Sequence, residues 1–376
     1  MKNIGLLTLD PKIYNYGGLL QEYALQKILT GLNYKCEIIN YSPNEEIYTF
    51  SIKRSLKNFK ITKLKNRILY LRNRQNHLEK KVDEKIFLRK KAFDEFRNNN
   101  MIISKPIQKK ELAEYSNKFT TVICGSDQIW NPSYNIPSFF LGFTSKKIRK
   151  IIYAASIGKK RLTRFEQKVY REMMSNLDFV SVREKSAQDI VTPLFNGKVD
   201  LVLDPTLLLD KEVWKKLACE VPVYYSKYVF CYFLENNNEK KAAAKKIAED
   251  NKLKLVSLPL VSEFASINDE KLYSIGPKEF LNLILNADIV LTDSFHATVF
   301  SILFEKKFFV FGRKYEDYDM NTRIDTLLQY FKLEDLFVSP EDIEGRLPLM
   351  NKKNNEKFQD AYDASYTFIK NAIELD

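Results

Sequence analysis

Residues 287–300, ADIVLTDSFHATVF, carry His296, one of only two histidines in a chain of 376 residues. Ala287 to Leu291 form a short run that is apolar apart from Asp288, and Thr292, Asp293 and Ser294 turn it into a second apolar pattern with helical spacing. That layout is a strand feeding a crossover helix. In an open α/β sheet, the polar residues just after such a strand face the ligand crevice, and the free N–H groups of the helix start suit an anion. Phe295 and His296 would begin that helix, which places the histidine at the mouth of a cleft.

The same alternation extends in both directions. Downstream of Tyr228 it runs YVFCYFL, NEKKAAAKKIAED, KLKLVSLPL, PKEFLNLILNA, the quoted stretch, and KFFVFG. Upstream, NIGLLTL, a helix from LLQEYALQKILTGL, and YKCEIINY make a βαβ unit, followed by the apolar runs FTTVICGS, KIIYAAS, FVSVRE and VDLVLDP. Strands alternating with helical patterns indicate parallel sheets with crossover helices. A chain of 376 residues exceeds one ordinary core. The expected architecture is therefore two Rossmann-like doubly wound α/β domains facing across a cleft, residues 1–215 and 216–376. The C-terminal helical segment belongs to the second range and could pack across either domain.

A net charge of +12 would suggest an anionic partner for the whole surface, but its distribution is uneven. Residues 51–110 hold 19 Lys and Arg against 5 Asp and Glu, a balance of +14. The remainder is slightly acidic, so basicity belongs to one helical insertion in the first domain. Its apolar stripe comprises Leu64, Ile68, Leu71, Leu78, Val82 and Ile86, with His77 among the basic residues. A solvated helical face is the simplest expectation. Peripheral contact with an anionic membrane or a lipid diphosphate is the functional one. No nucleic-acid motif accompanies the charge.

No apolar run reaches the roughly 18 residues needed to span a bilayer, and the N-terminus reads as a first strand rather than a signal peptide. Cys36, Cys124, Cys219 and Cys231 are widely spaced and sit mostly in apolar runs, as buried thiols in a reducing, cytoplasmic compartment would. No cysteine or histidine pair has metal-ligand spacing, which argues against a zinc site; no metal-ligating residue is singled out, and the plentiful Asp and Glu leave a carboxylate-bound magnesium open.

Three further strand ends carry polar residues. SVREKSAQDI places Arg183 beside Glu184, and a guanidinium fork there suits a carboxylate or phosphate. CGSDQIWNP brings Ser126, Asp127, Gln128 and Trp130 into one turn, equipment that fits either a carbohydrate site or a structural turn. NYGG, with Asn15, Gly17 and Gly18, offers backbone N–H groups at a helix start without a complete dinucleotide fingerprint. Arg323 precedes another helix in DMNTRIDTLL. These residues describe a cleft enzyme with an anionic ligand and leave the reaction open.

Taken in order, NYGGLLQEYALQ, GSDQIWNP, YAASIG, SVREKS, LDPTLLL, LTDSFHATVFSI and NTRIDTLL resemble the polysaccharide pyruvyl transferase family across residues 15–328. The resemblance implies a fold like the two-Rossmann-domain (GT-B) glycosyltransferases. It implies transfer of pyruvate from phosphoenolpyruvate to a sugar hydroxyl pair as a cyclic ketal during bacterial capsule, exopolysaccharide or cell-wall glycan synthesis. Phosphoenolpyruvate is then a co-substrate, no other cofactor is needed, and the acceptor could ride on a polyprenyl diphosphate. By the same resemblance Arg183 and His296 belong to the phosphoenolpyruvate site. Some members carry an arginine where this chain has Ser294, so Arg323 or Arg313 is expected to supply a second cation. His296 is expected as general acid, with Asp293 or Asp127 as base or orienter. The competing expectations are a nucleotide-sugar glycosyltransferase on the same architecture and a glycan- or lipid-carrier-binding protein without catalysis.

Overall fold

β1 (Asn3–Leu7) is buried at every position after Asn3, as a strand covered on both faces requires. It feeds α1 (Tyr16–Gly31), and β2 (Lys35–Ile38) returns parallel, with Ile4 opposite Cys36. The computed structural model describes residues 2–9, 14–43, 77–134, 136–259, 272–313, 321–343, 346 and 356–375, with the side chains of residues 77–83 outside that set. Leu64, Ile68 and Leu71 of the expected basic stripe, and the side chains of His77, Leu78 and Val82, lie outside the described residues.

The first half continues with α2 (His77–Asn100), α3 (Leu112–Ser116), β3 (Thr121–Asp127) and β4 (Arg149–Ala155). α4 (Arg164–Met174), β5 (Phe179–Val182), α5 (Lys185–Val191), β6 (Val199–Leu201) and α6 (Pro205–Leu208) complete it. Its six strands lie in the order β2-β1-β3-β4-β5-β6, and every pairing is parallel. The order reverses between β1 and β3.

The second half comprises α7 (Lys211–Cys219), β7 (Tyr228–Tyr232), α8 (Asn238–Asp250), β8 (Lys254–Ser257), α9 (Pro277–Asn286) and β9 (Ile289–Thr292). After them come α10 (Phe295–Leu303), β10 (Lys307–Phe311), α11 (Thr322–Phe331), β11 (Phe337–Val338) and α12 (Glu356–Glu374). This sheet is also parallel, in the order β11-β10-β9-β7-β8, and reverses between β7 and β9. Ligands of doubly wound sheets sit outside the carboxyl ends of strands at such reversals. The edge strand β11 is two residues long, too short for any periodicity to announce it.

The two halves share an apolar core. Tyr16 of α1 stacks on Phe280 of α9 with ring centroids 4.6 Å apart, and its hydroxyl donates to the Ile275 carbonyl at 2.8 Å. Tyr23 meets Trp214 of α7 at 5.7 Å, and Trp214 meets Phe300 of α10 at 5.0 Å. Helix α2 acts as a strap over the same seam: Arg89 donates to the carbonyls of Pro259 and Leu272, at 3.0 and 2.8 Å. An interface of buried aromatics thus joins the two halves through their helices. Helix α12 runs back to the first sheet, where Ser365 accepts the Leu203 N–H at 2.8 Å and Phe368 packs near Tyr153.

Cys36, Cys124 and Cys231 are buried free thiols, while Cys219 is exposed. Among the described residues, no helix is long and apolar enough to cross a membrane.

Candidate functional site

Strand β3 ends in a turn that brings Asp127 to the cleft. Gly125 has φ +137°, and a β-carbon there would stand 2.0 Å from the Tyr153 carbonyl oxygen, so only glycine fits. The Ser126 N–H is held by Gln21 Oε1 at 2.8 Å, and Asp127 adopts φ 65°. From β5, Arg183 extends between two carboxylates: Nη1 donates to Asp204 Oδ2 and Nη2 to Asp127 Oδ1, each at 2.5 Å. Its guanidinium carbon lies over the Phe295 ring, 4.5 Å from the centroid. Arg183 is 4% exposed, and among the described residues its Nε has no hydrogen-bond partner.

Asp204 is the hub of the site. It caps α6, where Oδ1 accepts from the backbone N–H and hydroxyl of Thr206 at 3.0 and 2.6 Å. Its Oδ2 accepts from Ser126 Oγ at 3.1 Å and from Arg183, and stands 3.7 Å from His296 Nε2. At that separation Nε2 stands beyond hydrogen-bond reach of the carboxylate. Burial alone would raise the Asp204 carboxyl, but His296, Arg183 and Thr206 hold it far below the usual carboxylate range. Burial opposes ionisation of Asp127 too, and Arg183, His296 and Arg323 again outweigh it and lower its pKa. Both carboxylates are therefore charged at neutral pH.

His296 enters from the other sheet. Ser294 caps α10 by accepting the Ala297 N–H at 3.5 Å, which sets His296 in the first turn, 6% exposed and edge-on to Phe295. Its imidazole packs against Gly17 at the start of α1. Asn15 caps that helix by accepting the Gly18 N–H at 3.0 Å, so this N–H is already satisfied.

Two more arginines close the cluster. Arg323 is 3% exposed, and its Nη1 lies 3.7 Å from Asp127 Oδ1. Gln128 Oε1 accepts from Asn131 at 2.8 Å or, with the amide turned over, from Arg323 Nη1 at 2.6 Å. Burial, then the neighbouring charges of Arg183 and Arg313, bring the Arg323 pKa down to about 10. Asn321 ties the two chain segments together, accepting the Arg313 N–H at 2.9 Å and donating to its carbonyl at 3.1 Å. Glu184 accepts from Ser156 Oγ and the Ile157 N–H, at 2.9 and 3.0 Å, and burial keeps its carboxyl above the usual range despite Arg183 and Arg323. Three guanidiniums and an imidazole thus gather around the carboxylates of Asp127, Asp204 and Glu184, a concentration of cationic donors suited to an anion.

The structure brings together Ser126, Asp127, Gln128, Arg183, Phe295, His296 and Arg323, with Arg313 in electrostatic range and Gly17 beneath the imidazole. Asp293 serves another purpose. It accepts from the N–H groups of Leu234 and Glu235 and from Lys240 Nζ, at 2.7, 3.2 and 2.9 Å, anchoring the loop after β7. Trp130 is 1% exposed and stacked on Phe140 at 5.3 Å, inside the core of the first half. Arg183 presents no open fork, because both its terminal nitrogens are engaged. Asp204 and Thr206 were not anticipated, although LDPT, an acidic residue before a proline at a strand end, is a helix-start pattern that marks them.

The chain folds like the UDP-N-acetylglucosamine 2-epimerase of Methanocaldococcus jannaschii, with a TM-score of 0.50 and 13% identity over 98% of each chain. It is equally similar to that of Rickettsia bellii, with a TM-score of 0.50 and 9% identity over 100% of this chain and 97% of that one. At such identities the likeness shows the GT-B arrangement of two parallel-sheet domains alone. A sequence comparison with curated proteins finds no match. A family model, Polysaccharide pyruvyl transferase, matches residues 15–315, a span that takes in Gly17, Asp127, Arg183, Asp204, His296 and Arg313. With most of its length matched, the chain belongs to the polysaccharide pyruvyl transferase family.

Proposed function

We propose that the chain transfers pyruvate from phosphoenolpyruvate to two hydroxyls of a sugar, closing a cyclic ketal in the synthesis of a bacterial polysaccharide. The observation that carries this reading is the convergence of His296 with Arg183, Arg313 and Arg323 at the facing strand ends. Phosphoenolpyruvate brings a carboxylate and a phosphate, which need fixed donors in a water-poor site. Arg323 and Arg313 take these groups, while Arg183, locked between Asp127 and Asp204, supplies a fixed positive field and holds Phe295.

His296 protonates the methylene carbon, making C2 electrophilic, and Asp204 orients the imidazole. The first sugar hydroxyl adds to C2, with Asp127 accepting its hydrogen bond, and its proton restores the imidazolium. The second hydroxyl displaces the phosphate, which leaves as hydrogen phosphate carrying the other proton. The carbon skeleton thus gains one proton and the phosphate one, matching the two hydroxyls consumed.

The acceptor in this reading rides on a polyprenyl diphosphate carrier at the inner membrane face. Phe87 and Leu88 of α2, 64% and 45% exposed among Lys85, Lys90 and Lys91, are the described part of the surface that would rest there. Incubation with phosphoenolpyruvate and a panel of nitrophenyl and lipid-linked glycosides should release phosphate in wild type. His296→Gln should slow release by roughly 10²–10⁴-fold with the fold intact. Stabilisation by a nucleoside diphosphate in place of phosphoenolpyruvate would favour a glycosyltransferase, and glycan binding without phosphate release would favour a binding protein.

A further inference from the structure

Beside the arginine cluster lies a pocket that the donor chemistry leaves unused. It has about 780 Å³ of empty space, its open mouth included, and its lining includes both Asp127 and Gln128. Because Asp127 also pairs with Arg183, a ligand in this pocket would sit directly beside the cations. Leu19, Phe93 and Phe139 form apolar walls, and Tyr134 stands at the rim, 38% exposed.

The polar lining holds a buried ion pair. Arg97 of α2 places Nη1 3.2 Å from Glu22 Oε2, with the two residues 9% and 3% exposed. Glu22 Oε1 also accepts from Thr8 Oγ1 at 3.1 Å. Arg97 Nη2 has no hydrogen-bond partner among the described residues, so the pair retains one donor there. A buried donor without a partner is costly in the free protein, and a ligand oxygen would relieve that cost. Burial holds the Glu22 carboxyl above its usual range, although Arg97 and Thr8 draw it down.

A group with apolar faces and a hydroxylated edge fits such walls. The pair is internally neutralised, so a charged ligand would find no counter-charge among these two residues. Resting on the phosphoenolpyruvate reading above, we infer that this pocket is the acceptor subsite and that Glu22 and Arg97 read the hydroxyls of a neutral pyranose. The basic insertion then has a specific role: through α2 it contributes Arg97 and Phe93 to the wall that selects the acceptor.

The test compares wild type with Glu22→Gln, Arg97→Lys and the rim variant Tyr134→Trp, which alters no buried group. Calorimetry measures phosphoenolpyruvate affinity, phosphate release gives the acceptor KM with methyl hexosides and methyl glucuronide, and saturation-transfer NMR follows methyl hexoside binding. Losing one hydrogen bond to a charged group corresponds to roughly ten- to hundredfold in affinity. Acceptor KM should rise by that amount in Glu22→Gln and Arg97→Lys while phosphoenolpyruvate affinity is retained, and wild type should prefer neutral hexosides to the glucuronide. Unchanged acceptor KM in all three variants of a working enzyme overturns the inference and leaves the donor reading standing. If wild type binds no phosphoenolpyruvate, the donor reading fails by itself. Hexoside saturation transfer that Tyr134→Trp abolishes would then still support the subsite, and transfer that the variant leaves intact would overturn it.

Discussion

Gly17 and His296 occupy adjoining space so closely that a β-carbon on Gly17 would stand 2.0 Å from His296 Nδ1 and 2.3 Å from its Cγ. One residue opens the first helix of the first sheet and the other opens a helix of the second, so the imidazole is seated by the meeting of the two halves. Gly17→Ala should therefore displace the ring. Misplacement by about 1 Å can cost on the order of 10²-fold in rate. Gly31→Ala, on the same helix with nothing within 4 Å of the added carbon, is the matched control and should keep wild-type turnover. Equal rates for the two variants would show that the ring relaxes without consequence.

Acid stability should report on Asp204 and Asp127. Both have folded pKa values lowered by His296 and the arginines. The unfolded chain, with carboxyl pKa near 3.9, binds more protons than the native one as pH falls. Their contribution is thus complete above about pH 5 and declines as pH drops through about 4 and below. Asp204→Asn should be less stable at neutral pH, by about 3–5 kcal/mol for a broken buried pair, and should show a flatter decline on acidification. Urea midpoints measured from pH 7 downward check this, and parallel wild-type and variant profiles would contradict it.

Arg183 and Arg323 should separate in their effects. Removing Arg183 leaves two buried carboxylates without their shared cation, which costs about 3–5 kcal/mol of stability. Arg323 is crowded by Arg183 and Arg313, so Arg323→Ala relieves repulsion while losing one anion contact. Thermal unfolding should drop for Arg183→Ala and change little for Arg323→Ala. Phosphoenolpyruvate affinity should fall at least about tenfold in the latter. Wild-type affinity in Arg323→Ala would remove that residue from the anion site.

Asp293→Ala should act through stability. It removes one of the two carboxylates that Lys240 pairs with, the other being Glu235 at 2.6 Å, and takes the acceptor from two backbone N–H groups after β7, at about 1–3 kcal/mol for each buried group left unsatisfied. Denaturant unfolding is the measurement. A variant of unchanged stability with turnover reduced a hundredfold or more would return Asp293 to the chemistry.

Much of this protein could be read along the chain. The alternation of apolar runs and helical periodicities marks ten of the eleven strands among the described residues, because a parallel strand in the interior of a sheet is apolar over its own few residues. Placement at strand ends singled out Arg183, Asp127 and His296, since in doubly wound sheets the crevice position is a local property of the strand-to-helix turn. Which charge meets which is not local. Arg183 finds its carboxylates 21 and 56 residues away, and Asp293 finds Leu234 and Lys240 at distances of 59 and 53 residues. The sequence by itself therefore determined the class of fold and the strand ends that carry chemistry. Only the tertiary structure decided that neighbouring strand ends of the first sheet would engage Arg183 at both terminal nitrogens, and that the meeting of the two halves would bring His296 to Asp204 and into the space Gly17 leaves. Burial at that seam strips water from the charges, so each must be matched by a partner that only the assembled fold supplies.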